Sequence, residues 1–435
     1  MKEQISKLYS EYGRYINKFR AFPLIFDGLK IVERRILYSL FLRAKDKFVK
    51  SAEVVGWCIG QYHPHGDVST YGSMAQLVNG GLAIGQGNWG SYTGITSNEP
   101  AAMRYTEVKS SKKVLDMAFE YIDYVDMDAL ELYDEPIYLP CKLPMCLVNT
   151  INCQGIGFGF RTYMPSYDPK DLVKRLEWLL GRREEEPIIK PLTNSVHLSK
   201  DHDFQQLLTT GKAKLQFRGK SSIDRMNNSV VVTALPEGKT FLNLLKKLEK
   251  EIQVQKTIGF VDESTTTTKV RFAPVKRSID VDTLYNLINY NLTSSVSYEC
   301  NMCDTFGNVK LVSIDDMLLT VHKVYEDTVK RYLESTINKY QEMIDELDLI
   351  ARIKVSLIKW IKVYPDDSDT LIAKINEETL IDTKSIEKLF SKYSIAKLLK
   401  IKNDREDLIN KQTEFKNDLA RLADYVWETK YQTIS

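Results

Sequence analysis

Gly85-Gln86-Gly87-Asn88-Trp89-Gly90, followed after ten mostly small residues by Ala101-Ala102-Met103-Arg104-Tyr105-Thr106-Glu107, is the stretch around which this chain is organised. Three glycines in six residues let the backbone adopt positive φ and approach a bulky partner closely. Arg104 offers a planar, permanently charged fork whose geometry suits a phosphate. Tyr105 carries the hydroxyl of a nucleophile, but the chain has 24 tyrosines, and most tyrosines pack. The surrounding sequence has to decide between those roles.

The 435 residues leave room for roughly two to four domains, each with its own core. A content of 43% hydrophobic and 27% charged residues is ordinary for a water-soluble protein. No apolar run approaches the roughly 18 residues of a membrane span, and Met-Lys-Glu-Gln-Ile-Ser does not open a secretory signal, so no membrane role is expected. Six cysteines in a chain of this size form no disulfide framework, which points to the cytoplasm. The net charge of +2 hides an uneven distribution: residues 18–50 hold nine Lys/Arg against three acids, and residues 116–135 hold eight acids and no base. The first block is either a footprint for a polyanion or a solvated helix face. The second would repel DNA and is expected to face away from it or towards another basic surface.

Residues 3–18 place Ile5, Leu8, Tyr9, Tyr12 and Ile16 on one helical face. After Pro23 and Asp27-Gly28, residues 31–42 read as a helix with Arg34 and Arg35 beside its apolar stripe. A helix at 51–62, the turn His63-Pro64-His65-Gly66 and a second helix from an Asp67 cap to about Val78 have the shape of a helix-turn-helix. Pro136, Pro140 and Pro144 mark a boundary. Beyond it, residues 141–312 read as an α+β region with strands at Leu147-Val148, 230–233, 270–272 and 310–312. From Ser313 the pattern is helical. Leu333, Ile337, Tyr340, Ile344, Leu347 and Ala351 step 4-3-4-3-4, and Ile401, Leu408, Phe415 and Leu422 form a matching arm, with a small helical knob at about 355–397 between them.

Four motifs invite chemistry. His63 and His65 could ligate a metal, but zinc needs three or four protein ligands and the other histidines lie far off in sequence, so phosphate contact is the better reading. Cys300-x-x-Cys303 sits in a hairpin-like stretch at 296–309 with no second pair, which favours packing. Asp126-Met127-Asp128 follows no apolar strand and reads as surface. In Gly155-Ile156-Gly157-Phe158-Gly159, one apolar side chain stands on a thin backbone, either a wedge for unstacking bases or a tight strand crossing. No GxxxxGK[ST] is present, so nothing supports P-loop ATP hydrolysis.

Taken in order, these pieces resemble the DNA breakage-reunion subunit of type IIA topoisomerases, the gyrase A and topoisomerase IV group, over about residues 12–430. The resemblance is carried by Arg20-Ala21-Phe22-Pro23, Asp27-Gly28-Leu29-Lys30, Arg34-Arg35-Ile36-Leu37-Tyr38, Tyr62-His63-Pro64-His65-Gly66-Asp67, the glycine run and Ala101 to Glu107, with Lys142-Leu143-Pro144 and Gly155-Ile156 continuing it. It implies a multidomain α+β fold: an N-terminal arm (1–19), a winged-helix domain (20–140), an α/β tower (141–312), and an antiparallel coiled coil with a small helical C-gate (313–435). It implies that Tyr105 attacks a DNA phosphate and stays on the 5′ end, with Arg104 stabilising the reacting group. A free tyrosine has a pKa near 10, so nearby positive charge is needed where negative charge builds up. Arg20, Lys30, His63 and His65 match positions that contact DNA or the scissile phosphate, and Arg34 and Arg35 are expected to join them. Ile156 matches a base-wedging isoleucine. The resemblance further implies double-stranded DNA as substrate, a homodimer, and a partner protein that supplies the ATPase and Toprim modules and binds both ATP and Mg²⁺; no metal ligand is expected in this chain.

The departures carry expectations too. Lys30-Ile31-Val32-Glu33 stands where the group has Lys-Pro-Val-His, so one basic contact is lost or replaced. Val68 and Gly72 stand where quinolone-binding enzymes have a serine and an acid, which predicts weak drug sensitivity. The chain ends soon after the second helical arm, so relaxation or decatenation is expected rather than negative supercoiling. This length looks most like the medium subunit of T4-like phage topoisomerases, which would place it in a host cytoplasm. The alternative is a non-catalytic helix-turn-helix protein dimerised by a coiled coil, which leaves Arg104-Tyr105 after the glycine run unexplained.

Overall fold

Helix α1 (Lys2–Ile16) carries the apolar stripe that its spacing predicts, and passes into a single π-turn, Asn17–Ala21. That stripe is open: Ile5, Leu8, Tyr9 and Tyr12 are 56–66% exposed. Helix α2 (Ile31–Arg43) starts after a tight turn organised by Asp27. The fully buried Asp27 carboxylate accepts the Leu29 and Leu139 amides and the Arg34 guanidinium. Strand β1 (Val49–Lys50), helix α3 (Ser51–Gln61), helix α4 (Asp67–Asn79), strand β2 (Ala83–Gln86) and strand β3 (Glu107–Ser110) follow. The three strands form an antiparallel sheet in the order β1-β3-β2, with Val108 opposite both Val49 and Gly85. Helices α2, α3 and α4 contact one another and bury Ile36, Leu40, Val54, Val55, Cys58, Met74 and Leu77. Gly66, not Asp67, occupies the cap position of α4; Asp67 lies in the first turn, where its charge favours the helix dipole.

The computed structural model describes residues 2–91, 94–95, 98–275, 279–365, 367–401, 404–431 and 434. It falls into two compact units, Met1–Tyr325 with Lys430–Ser435, and Glu326–Thr429. Within the first, Leu147-Val148 is not a strand as expected but part of a one-turn helix, Met145–Val148. Its amides are held outside any sheet, Met145 N by the remote Asp27 O and Leu147 N by Pro144 O, and all four side chains are buried. Such a short apolar run has no period to distinguish a turn from a strand. Two larger antiparallel sheets follow. Five strands run in the order Cys153–Ile156, Arg161–Met164, Thr293–Glu299, Lys212–Arg218, Val196–His197. Four more run Lys220–Asp224, Ser229–Ala234, Val270–Pro274, Ile258–Asp262. The smaller sheet is covered by helices Phe241–Lys247 and Val281–Asn291, whose Phe241, Leu244, Leu284 and Ile288 bury Val230, Val232, Val270 and Phe272.

The helix Ile314–Trp360 begins in the first unit, and most of it belongs to the second. There Tyr340 stacks on Phe415, the Gln412 amide donates to Gln341 Oε1, and Arg405 pairs with Asp348. Partners descend from 415 to 405 as the first helix climbs from 340 to 348, so Arg405–Ala420 runs antiparallel to it. Gln412 is buried, a polar pair that fixes register between two helices. The expected seam position Ala351 is exposed; Ile350, Ile353 and Leu357 are buried instead. They pack with Leu371, Ile375, Ile386, Leu389 and Leu398 of three short helices, Ser368–Thr379, Thr383–Lys392 and Ile395–Lys400. The stripe turns because its partner changes from one return helix to a helical knob. No described helix is long and apolar enough to cross a membrane.

Candidate active site

Tyr105 sits two residues before β3 begins pairing at Glu107, and its neighbours are pinned. Thr106 is buried, its Oγ1 within 2.8 Å of Ser51 Oγ and 2.9 Å of the Tyr71 hydroxyl. Tyr71 in turn donates to Ala101 O at 2.6 Å, and Tyr105 N closes a turn on Ala102 O. Helices α3 and α4 thereby clamp the chain on both sides of the tyrosine. The ring itself is 65% exposed. Gly87, at φ +100°, lies against the backbone here, 3.2 Å from Tyr105 O to where a Cβ would sit. The Arg104 guanidinium lies 4.6 Å from the Tyr105 ring centroid, within cation–π range, and both side chains face solvent. Of residues 91–100, the structure describes Ser91, Gly94, Ile95 and 98–100.

The turn His63-Pro64-His65-Gly66 forms one wall of a separate cavity of about 370 Å³, shared with Arg20, Lys30 and Glu33. Arg20 and His65 are exposed. Lys30 Nζ donates to Gln154 O at 2.6 Å, which ties the hairpin of Cys153–Ile156 and Arg161–Met164 to the cavity edge. At the tip of that hairpin Ile156 is 88% exposed. Its flanking glycines are required by contact: a Cβ at Gly155 would collide with Ala21 O, and one at Gly157 with the Phe22 ring. Neither Arg104 nor Tyr105 lines the cavity, and among the described residues no hydrogen bond joins them to it. One chain therefore presents the tyrosine and the histidine-arginine cluster as separate pieces.

Arg34 and Arg35, expected among the DNA contacts, are withdrawn from solvent and correct that expectation. Arg34 pairs with Asp27 at 2.6 Å. Arg35 forks onto Glu135 at 2.8 and 2.6 Å and reaches Glu131 at 2.6 Å. The acidic block thus turns one end towards the basic block inside the protein. Glu120 pairs instead with Lys142 at 3.1 Å and with Lys430, both outside the basic block. Asp126 and Asp128 are exposed, while Cys300 and Cys303 are buried on one hairpin. Glu33 receives the Lys30 amide at 2.9 Å; burial lifts its carboxyl above the usual range, with Lys30 opposing.

His63, His65 and Glu131 bring their donor atoms within 4.8 Å of one another, a spacing that could suit a metal. The Arg35 guanidinium already donates to two of the three, to Glu131 and to His63 Nδ1 at 3.0 Å. The cluster is organised around an organic cation. Burial, and then Arg35, lower His63 to about 4. Burial also lowers His322, which meets the Tyr431 hydroxyl at 3.0 Å, to about 4. Both sit below the ordinary 6.5, so between pH 6.5 and 4 the unfolded chain binds more protons and stability falls as pH falls. Each histidine is expected to withdraw up to about 3 kcal/mol by pH 4. Urea unfolding across pH 7 to 4.5 should show this slope, and His322→Gln should flatten it.

The sequence profile that describes the A subunits of DNA gyrase and topoisomerase IV matches residues 20–434. The chain belongs to that family. It is 29% identical over 411 residues to the DNA gyrase A subunit of Aminobacterium colombiense, covering 86% of this chain and 49% of that protein. It is 28% identical over 418 residues to the DNA topoisomerase 4 A subunit of Neisseria gonorrhoeae, covering 83% and 53%, and 25% identical to the DNA gyrase A subunit of Borreliella burgdorferi, covering 100% and 57%. The chain spans about half the length of the curated relatives it matches. For this gyrase/topoisomerase IV A-type chain, the residues that sequence reasoning missed are Glu131, Glu135, Tyr71 and Ser51. Each acts through a partner remote in sequence, and no local motif marks it.

Proposed function

We propose that this chain is the DNA breakage-reunion component of a type IIA topoisomerase. The observation that carries the reading is Tyr105: exposed, held between two clamped neighbours, with a guanidinium against its ring. In the proposed step the Tyr105 hydroxyl gives up its proton as its oxygen attacks a backbone phosphorus, a phosphotyrosine bond forms to the 5′ end, and the 3′ oxygen leaves and takes up a proton as a 3′ hydroxyl. Reversal reseals the strand without external energy, because the diester is conserved. Arg104 offsets the charge that gathers on the phosphoryl oxygens. Arg20, Lys30 and His63 face a common cavity that suits the phosphate backbone, and Ile156 would wedge between bases where the cut segment bends.

In this reading residues 20–140 form a winged-helix domain, 141–312 a tower, and 313–435 a coiled coil with a dimer-forming knob. Two copies complete the site by bringing the tyrosine of one to the cavity of the other. Among the described residues the one group of three side chains spaced for a metal, His63, His65 and Glu131, already holds the Arg35 guanidinium. ATP and Mg²⁺ would come with a separate ATPase/Toprim protein, the metal adding positive charge at the phosphate. The test is to mix the chain with that partner, Mg²⁺ and supercoiled DNA, then denature. Protein joined to 5′ ends is the expected product; its absence would favour a non-catalytic helix-turn-helix protein.

Drug response follows from the exposed face of α4. Val68 is 80% exposed and Gly72 has nothing within 4 Å of a Cβ, so this face offers neither hydroxyl nor carboxylate there. Quinolone-stimulated cleavage is expected to need at least about ten-fold more drug than in an enzyme carrying both groups, since one lost charged contact weakens binding by that order. Equal drug-stimulated cleavage would overturn this.

A further inference from the structure

We propose that Glu131, Glu135 and Arg35 are positioning residues that fix His63 as a neutral imidazole with its proton on Nε2, so that Nε2–H is the donor offered to the scissile phosphate. The proposal rests on the cleavage reading above and goes beyond it, to the protonation of one ring and the carboxylates that enforce it.

The geometry starts at Arg35, whose side chain is wholly buried. All three of its nitrogens are engaged: Nε and Nη2 by Glu135, and Nη1 by both Glu131 Oε2 at 2.6 Å and His63 Nδ1 at 3.0 Å. A guanidinium has only N–H donors and does not deprotonate in a protein. A hydrogen bond at 3.0 Å to a ring nitrogen therefore requires a lone pair on Nδ1. Protonation of Nδ1 would oppose two donors, and a flipped ring would set a carbon against Nη1. The proton must sit on Nε2. Burial and the neighbouring Arg35 both disfavour the imidazolium, which agrees with a neutral ring.

Nε2 has no hydrogen-bond partner among the described residues, and the ring shares its cavity wall with Arg20 and Lys30. The division of labour is then clear. Arg20 and Lys30 bring charge to the anion, while His63 brings one directed donor. Glu131 and Glu135 make this arrangement possible, because they neutralise Arg35 and hold its Nη1 at the correct edge. Glu131 also accepts the Tyr15 hydroxyl at 2.9 Å, which ties α1 to the same network.

Two isosteres separate a directed donor from a merely structural cluster. The amide nitrogen of His63→Gln falls near Nε2, whereas that of His63→Asn falls near Nδ1. In the complete enzyme with its partner protein, Mg²⁺ and DNA, the glutamine variant should form the covalent adduct roughly ten-fold or more faster than the asparagine variant. Equal rates would overturn the proposal. Nitrogen-15 spectra of histidine-labelled protein give a readout independent of activity, and with five histidines the His63 signals can be assigned by their loss in His63→Gln. Wild type should show Nε2 protonated and Nδ1 bare, with the preference lost in Glu135→Gln. A proton on Nδ1, or a wild-type tautomer mixture, would overturn the proposal whatever the rates of the variants. Absence of the adduct from the wild-type complete enzyme would instead sink the cleavage reading, and the role of His63 with it, leaving the ring's proton where the spectrum puts it.

Discussion

Tyr105→Phe is expected to abolish covalent capture of DNA, a loss of at least ~10⁴-fold in adduct formation, typical of removing a nucleophile. DNA affinity should stay within about two-fold, because the ring, its exposure and its contact with Arg104 survive the change. The Tyr105 hydroxyl has no hydrogen-bond partner among the described residues. Its removal strands no buried polar group, and stability should change by less than about 0.5 kcal/mol. Few substitutions separate chemistry from folding so cleanly. The assay is denaturant-trapped adduct on end-labelled DNA, alongside a melting curve and a binding isotherm for the same preparation. Retention of the adduct would assign the chemistry to another of the 24 tyrosines.

Much of this arrangement was legible in the sequence, and the gaps share a cause. The glycine run, the helix pair around His63-Pro64-His65 and the exposed Ile156 are local: spacing, turn residues and small side chains fix them within a few positions. What could not be read was pairing across distance. Arg35 meets Glu135 a hundred positions away, and in one dimension a buried arginine and a DNA-contacting arginine have the same letter and the same neighbours. Leu147-Val148 failed differently, since four apolar residues fit a strand or a turn equally well and the Asp27 backbone decided the outcome. Ala351 failed because a heptad stripe continues only while its partner does.

Arg34 and Arg20 offer a direct contrast between a buried and a solvent-facing cation. Arg34→Met should cost about 3–5 kcal/mol, the range for breaking a buried ion pair from one side. The cost arises at Asp27, which is 0% exposed and would be left with only the Leu29 and Leu139 amides as donors. Because the chain has two compact units, a single melting temperature is a poor measure. Hydrogen exchange at the Leu29 and Leu139 amides is the local one, and it should accelerate by about 100-fold or more. Among molecules that remain folded, the salt dependence of DNA binding should not change, since Arg34 faces no solvent. Arg20 is exposed and has no carboxylate partner among the described residues. Arg20→Met should leave exchange unaltered and reduce the slope of log affinity against log salt by about one. Adding Asp27→Asn to Arg34→Met should recover part of the lost protection. An uncompensated buried charge is the source of the penalty, so removing the charge relieves it even though the ion pair is not restored.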